Sequence, residues 1–168
     1  MTTATDLNPN LEALITEALG LRSGLSLPSI DQGPVEVLAR LIEVRTRLDR
    51  VEELLSRAVR FRTAVRARLK DASGSLDEAW ASKVAQPAAV RRRAASDGWG
   101  GAAPRERYAE ADLATLEEKR NVRRLEQWFD QVNDAVEVIR QAHRGLDTTR
   151  QDLHLILRAI SVETALER

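Results

Sequence analysis

Two long stretches of the sequence carry apolar residues at alternating steps of four and three, and this spacing constrains the fold more than any other feature. The first stretch contains Val37, Leu41, Val44, Leu48, Val51, Leu55, Ala58, Val65, Leu69, Ala72 and Leu76, with Arg62 as the one interruption. The second contains Val122, Leu125, Phe129, Val132, Val136, Ile139, Leu146, Leu153, Leu157 and Ile160, with His143 and Arg150 at two seam positions. Apolar heptads sustained over so many turns predict two long helices that pack as a coiled coil.

Glycine and proline residues set the boundaries between the predicted segments. Asn8 is a suitable N-cap for a short helix over residues 9–19, and Gly20 follows its expected end. Pro34 opens the first long helix, and Pro87 prevents its continuation. In chain order, we therefore expect a short helix and loop over 1–33, a coiled-coil helix over 34–85, a Gly- and Arg-rich turn region over 86–106, and a second coiled-coil helix over 107–168.

A single turn between two apolar seams favours an antiparallel hairpin, because each seam then finds its partner within the same chain. With the turn centred near Gly98, the register pairs Arg62 with Asp130 and Asp134, His143 with Asp49, and Arg150 with Glu43. The sequence thus predicts an all-α fold, a long antiparallel coiled-coil helical hairpin with the short N-terminal helix packed near its open end. Pairing of the same seams between two molecules is the alternative.

The residues that most enzymes use are scarce in this chain. There is no cysteine, and His143 and His154 are the only histidines. Eleven residues of helix separate them by about 16 Å, which is too far for one metal ion. The chain also lacks a phosphate-binding loop and the Glu-x-x-His repeat of di-iron bundles. We therefore expect a non-enzymatic protein with no catalytic residues, cofactor, metal site or small-molecule substrate.

The N-terminal residues show neither a signal peptide nor a membrane span. No basic stretch precedes an apolar run, and 18 consecutive apolar residues occur nowhere in the chain. We expect a protein that does not enter membranes and that resides in the cytoplasm or within a virion or other complex.

Several apolar residues adjacent to the seams are expected to stay partly uncovered on a thin helical hairpin, together with a tryptophan in the glycine-rich turn. They are Leu38, Ile42, Leu54, Phe61, Ile156 and Trp99. Exposed apolar and aromatic side chains are typical anchors for partner proteins. The leading hypothesis is an interaction or assembly protein that binds other chains, including copies of itself, within a larger complex. A small Arg-rich helical chain of this kind suits a bacteriophage structural or accessory protein.

Clustered arginines support a rival hypothesis, a nucleic-acid-binding accessory factor. Residues 57–70 include no acidic residue and contain Arg57, Arg60, Arg62, Arg66, Arg68 and Lys70, and the turn region adds Arg91, Arg92 and Arg93. Such cations attract phosphates, and Trp99 is suited to stack on a base. The alternative is an ordinary solvated helix face, because Glu126, Asp130 and Asp134 lie across the predicted hairpin and would neutralise part of the basic residues.

The turn region also resembles part of a known family. Trp99-Gly100-Gly101 resembles the Trp-x-Gly turn of the WXG100-type secreted helical hairpins, and Tyr108 to Asp112 resembles their Tyr-x-x-x-Asp/Glu export signal. The resemblance implies a secreted hairpin and covers only this short region. In that family the export signal follows the second helix, whereas here it would begin that helix. The resemblance implies no functional residue in this chain.

Overall fold

A computed structural model of the chain describes residues 8–29, 33–84 and 113–166, and 94% of these residues are helical. The described ranges contain no strand and three helices: α1 (Asn8–Arg22), α2 (Gly33–Val84) and α3 (Leu113–Leu166). The predicted all-α class is therefore confirmed. The predicted start of the second long helix at Arg107 lies outside the described residues, as does the turn region over 86–106.

None of the described helices has the length and the apolar character that a membrane crossing requires.

The described residues divide into two compact units. Unit 1 comprises those within Met1–Phe61 and Val132–Arg168, and unit 2 comprises those within Arg62–Gln131. The helix α1 belongs to unit 1, whereas α2 and α3 each contribute residues to both units.

The core of unit 1 contains every seventh residue of each long helix. On α2 the fully or almost fully buried residues at this spacing are Val37, Val44, Val51 and Ala58, and on α3 they are Val132, Ile139, Leu146, Leu153 and Ile160. Between them, Leu41, Leu55 and Leu157 are half-buried against the same cluster. The residues that the heptad spacing predicted to be in the core are thus buried. Their burial is the main stabilising contribution to the unit.

Contacts between α2 and α3 in unit 1 run in opposite chain directions. Glu52 lies 3.3 Å from His143, measured from Oε1 to Nε2. Nearer the start of α2, Pro34 shares a surface depression with Leu157 and Thr164, which lie later in α3. This order is consistent with antiparallel packing.

Two of the predicted polar pairs are replaced by other contacts in the structure. His143 contacts Glu52 rather than Asp49, three residues earlier on α2. Arg150 pairs with Asp147 on its own helix at 2.6 Å, rather than with Glu43. The predicted pairs assumed a turn centred at Gly98, and a heptad seam tolerates a shift of one turn without losing its apolar contacts.

The short helix α1 packs into unit 1 through one apolar face. Leu11, Leu14 and Ala18 are buried at exposures of 4%, 2% and 0%. Glu17 accepts a hydrogen bond of 2.6 Å from Nε of Arg50 on α2. On the α3 side, a Cβ added at Gly145 would lie 3.1 Å from Nε of Arg22, so the Arg22 side chain crosses α3 at that glycine.

The contacts of α1 fall at Arg47 and Arg50, in the unit that also contains the start of α2 and the end of α3. The predicted end of α1 needs correction. The helix continues through Gly20 and ends at Arg22, while Gly24 takes the positive φ of 77° that typically follows a helix end. The cost of a glycine inside α1 is offset by the packing of Leu21 against the core.

Arg47 joins the C-terminal end of α1 to α2. Its Nη1 donates hydrogen bonds of 2.9 Å to the carbonyl oxygens of Leu21 and Ser23, which a helix end leaves without intrahelical partners. Its Nη2 donates to Glu43 at 2.6 Å. Hydrogen bonds from Arg40 and Arg47 lower the pKa of the Glu43 carboxyl below its ordinary value of 4.5. The carboxylate thus stays charged and orients Arg47 toward α1.

Replacing Arg47 with alanine should weaken the docking of α1. The change removes two charge-assisted bonds to partly exposed carbonyls, and we expect a loss of about 1 to 2 kcal/mol in unfolding free energy. Amide hydrogen exchange should become faster in α1 than elsewhere in unit 1. Arg40→Ala is the matched control, because Arg40 also bonds to Glu43, at 2.8 Å. Equal losses of α1 protection in the two variants would contradict the role assigned to Arg47.

Unit 2 carries fewer buried residues among those described. Val65 and Ala72 continue the seven-residue spacing on α2, and Trp128 and Thr115 are buried on α3. Trp128 has an exposure of 7%, so it is a core residue of this unit. Among the described residues, neither the buried Thr115 hydroxyl nor the buried Trp128 Nε1 has a hydrogen-bond partner.

Candidate functional site: the α2–α3 groove

A surface groove runs between α2 and α3 within unit 1, and we call it the α2–α3 groove. Its α2 wall consists of Leu38, Leu41, Ile42, Arg45, Leu48, Asp49 and Glu52. Its α3 wall consists of His143, Asp147, Arg150 and His154. The heptad seam explains this position, because Leu41 and Leu48 are seam residues at the edge of the core and the other residues flank them.

The groove and α1 lie on different sides of α2. Arg47, which binds α1, is two residues from Arg45, which lines the groove. Two residues of an α-helix correspond to about 200° of rotation, so the two side chains leave α2 in nearly opposite directions. The pair formed by α2 and α3 therefore has one side occupied by α1 and another side, the groove, that no other described helix contacts.

The groove carries charges of both signs. Arg150 donates to Asp147 at 2.6 Å, and His143 lies 3.3 Å from Glu52. Within the described part of the chain, Arg45 and Asp49 form no ion pair. Both side chains are exposed and are available to an incoming molecule.

Exposed apolar side chains continue the α2 wall toward the start of the helix. Val35, Leu38 and Ile42 are 78%, 48% and 69% exposed. Their spacing of three and four residues places them in one line along α2. Large apolar side chains scattered singly are common on protein surfaces, but three in a line form a continuous apolar strip.

The predicted partner-binding residues fall into three groups. Leu38 and Ile42 are exposed and line the groove. Phe61 and Ile156 are half-buried against the core. Trp99 lies outside the described residues. The prediction for Leu54 was wrong, because its exposure is 0% and it belongs to the core cluster.

The burial of Leu54 follows from the position of α1. Leu54 lies four residues beyond Arg50 and seven beyond Arg47, so all three leave α2 on the same side. The other two bind α1, at Glu17 and at the carbonyls of Leu21 and Ser23. Leu54 is therefore on the side of α2 that α1 covers, and it is unavailable to a partner.

The predicted nucleic-acid-binding arginines are exposed where the structure describes them. Arg57 and Arg60 belong to unit 1, and Arg66 and Arg68 belong to unit 2. Because Arg66 and Arg68 are two residues apart in a helix, they point to nearly opposite sides and do not share a face. Arg91, Arg92 and Arg93 lie outside the described residues. Within residues 33–84 and 113–166, the predicted pair of Arg62 with Asp130 does not form.

Both histidines line the α2–α3 groove, at its opposite ends. Across the described ranges, no three histidine, cysteine, aspartate or glutamate side chains come together in a group that could hold a metal ion. The chemistry that the groove offers is hydrogen bonding, ion pairing and apolar contact.

The sequence reading missed Val35, Arg45 and Asp49 as candidate binding residues, although a signal for them exists. Together with Leu38, Ile42 and Glu52, they follow steps of three and four along α2, as the seam does. This second stripe is apolar in its first half and charged in its second half. An apolar search alone therefore finds only part of it.

Comparison with protein-family models, with curated proteins and with solved structures finds no match to this chain.

Proposed function

We propose that the chain is a non-enzymatic helical interaction protein that assembles with other protein chains through the α2–α3 groove. The exposed strip of Val35, Leu38 and Ile42 carries this proposal. Removing apolar surface from water contributes about 25 cal/mol per Å², so three large side chains in a line provide a substantial driving force for association. The charged residues beyond them provide orientation and specificity.

The scaffold that presents this surface is, in this proposal, the antiparallel coiled-coil hairpin predicted from the sequence. The seven-residue spacing of buried residues on α2 and α3 and the opposite chain direction of the Glu52 and Pro34 contacts support it. Long helices with a rigid apolar seam hold surface residues at fixed spacing, as an assembly surface needs. In this proposal the chain is a component of a virion or of another large complex, which such a surface would join to its neighbours.

A nucleic-acid-binding accessory factor is the second candidate. Exposed Arg57 and Arg60, three residues apart in unit 1 and without an ion pair in the described ranges, favour it. Cations in such a position contact phosphates, and binding of this kind weakens steeply as salt rises. Apolar assembly instead persists at high salt.

Replacing Ile42 with aspartate should weaken assembly. We expect multi-angle light scattering over a concentration series to show association of the unmodified chain, and the variant to need at least about tenfold higher concentration, because a desolvated carboxylate at the strip disfavours contact. Val162→Asp is the matched control, since Val162 is 52% exposed on α3 and does not line the groove.

The same samples separate the two candidates. Association that survives about 1 M salt supports protein assembly. At about 0.1 M salt, surface charges are already screened beyond about 10 Å, so contacts between charges alone would weaken well below that concentration. A strictly monomeric chain that captures no protein partner and retains nucleic acid at low salt would instead support the second candidate. Loss of that nucleic acid in an Arg57→Ala, Arg60→Ala double variant would locate its contact.

A further inference from the structure

We infer that the occupant of the α2–α3 groove is a second copy of this chain, related to the first by a two-fold axis perpendicular to α2 and α3. The inference rests on the proposed function and names the partner that the groove binds. The supporting observation is the order of the charged residues along the two helices that form the groove.

The contact between Glu52 and His143 sets which residues of the two helices lie side by side. Because contacts along α2 and α3 run in opposite chain directions, each step back from Glu52 corresponds to one step forward from His143. Both helices rise by about 1.5 Å per residue. Arg47, five residues before Glu52, is therefore beside Thr148, five residues after His143.

The charged residues of the groove are arranged symmetrically about this position. On α2, the residue midway between Arg45 and Asp49 is Arg47. On α3, the point midway between Asp147 and Arg150 falls between Thr148 and Thr149. The two midpoints agree within one residue, or about 1.5 Å along the helices. The point midway between His143 and His154 falls at the same place on α3.

A two-fold axis through this position brings opposite charges together. It places Arg45 of one copy against Asp49 of the other, and Asp147 of one copy against Arg150 of the other. Each contact occurs twice because the interface is isologous. Arg45 and Asp49 form no ion pair in the described part of one chain, so their new contacts replace only water.

The mixed signs in the groove favour a second copy over a partner of uniform charge. A nucleic acid or an acidic peptide would pair with Arg45 and Arg150 but would face Asp49, Glu52 and Asp147 with like charge, which disfavours binding. A second copy of the chain places an opposite charge against Arg45, Asp49, Asp147 and Arg150 of the first.

The size of the surface is adequate for a stable dimer. The unit 1 part of α2, from Gly33 to Phe61, is about 43 Å long at about 1.5 Å per residue. With α3 beside it at a helix diameter of about 10 Å each, the face offers roughly 850 Å². A standard interface buries about 800 Å² on each partner.

Charge reversal on the full-length chain tests this arrangement. Arg45→Glu and Asp49→Arg each place like charges together at two symmetry-related contacts, and each should raise the dimer dissociation constant about tenfold or more in sedimentation equilibrium. The double variant R45E/D49R restores the opposite charges across the axis. Its dissociation constant should return to within about threefold of the unmodified chain.

Arg66→Glu, Asp71→Arg and their combination are matched controls with the same changes of net charge, because both residues are exposed in unit 2. Circular dichroism on every variant separates loss of association from loss of folding. A dimer that the single reversals leave unchanged, or that the double reversal fails to restore, overturns the two-fold arrangement. A chain that stays monomeric at every concentration overturns the second copy as partner, whereas capture of a different protein by that monomer would leave the proposed function standing.

Discussion

Leu54→Ala should destabilise the folded chain by about 2 to 5 kcal/mol, the range for a buried leucine whose site collapses only partly. Leu54 has an exposure of 0% and lies in the cluster that joins α1, α2 and α3. Substitution removes three carbon atoms from a cluster that also contains Leu14 and Ala18 of α1, on the side of α2 where Arg47 and Arg50 bind that helix. Urea unfolding followed by circular dichroism measures the change in midpoint, with the slope as a check on two-state behaviour.

Leu155→Ala is the control for this prediction, because it makes the same chemical change at a residue that is 65% exposed on α3. Leucine and alanine have similar helix propensities, so we expect a change within about 0.5 kcal/mol. The comparison also tests the position of α1. If Leu54 were uncovered, as the sequence alone suggested, the two variants would show similarly small losses.

The seams were predictable because burial in a long helix follows a fixed period. Val44, Val51 and Ala58 on α2 and Ile139 and Leu146 on α3 are buried at the spacing that the sequence displays. Seven residues make nearly two turns, so residues at that spacing stay on one side of the helix and are removed from water together. The fold class and most core residues can therefore be predicted from the sequence without knowledge of tertiary contacts.

The register and the position of α1 were not predictable in the same way. A heptad seam packs almost equally well after a shift of one turn, and only specific polar contacts such as Glu52 with His143 distinguish the alternatives. The site of α1 depends on Arg47 and Arg50, which look like ordinary exposed residues in the sequence. Leu54 was misplaced as a consequence, because its burial requires a helix that is distant in the chain.

The groove was partly predictable for a related reason. Leu38 and Ile42 are recognisable in the sequence as apolar residues beside the seam. Arg45 and Asp49 are recognisable as groove residues only once the position of α3 is known. The symmetry of charges about Arg47 combines residues from two helices that are separated by about 100 positions in the chain. A correct register is needed to see it, and periodicity alone does not supply one.

Ala142→Leu should destabilise the chain by about 2 to 3 kcal/mol, at the upper end of the usual range for overpacking. Ala142 has an exposure of 0% and lies three residues before Gly145, so the two share a side of α3. The Arg22 side chain crosses Gly145 closely, which shows that α1 approaches α3 where the side chains are smallest. Because Ala142 is fully buried, we expect three added carbon atoms there to push neighbouring groups aside and to displace α1.

The displacement of α1 has a signature that simple destabilisation lacks. Amide protection in α1 should fall more than protection at Val44 and Ile139, which pack in the seam between α2 and α3. Ala67→Leu is the control, because Ala67 is exposed on α2 and the added side chain meets only water. A uniform loss of protection over all three helices in Ala142→Leu would show that Ala142 supports the seam itself. An unchanged stability would show that α1 does not pack tightly against this side of α3.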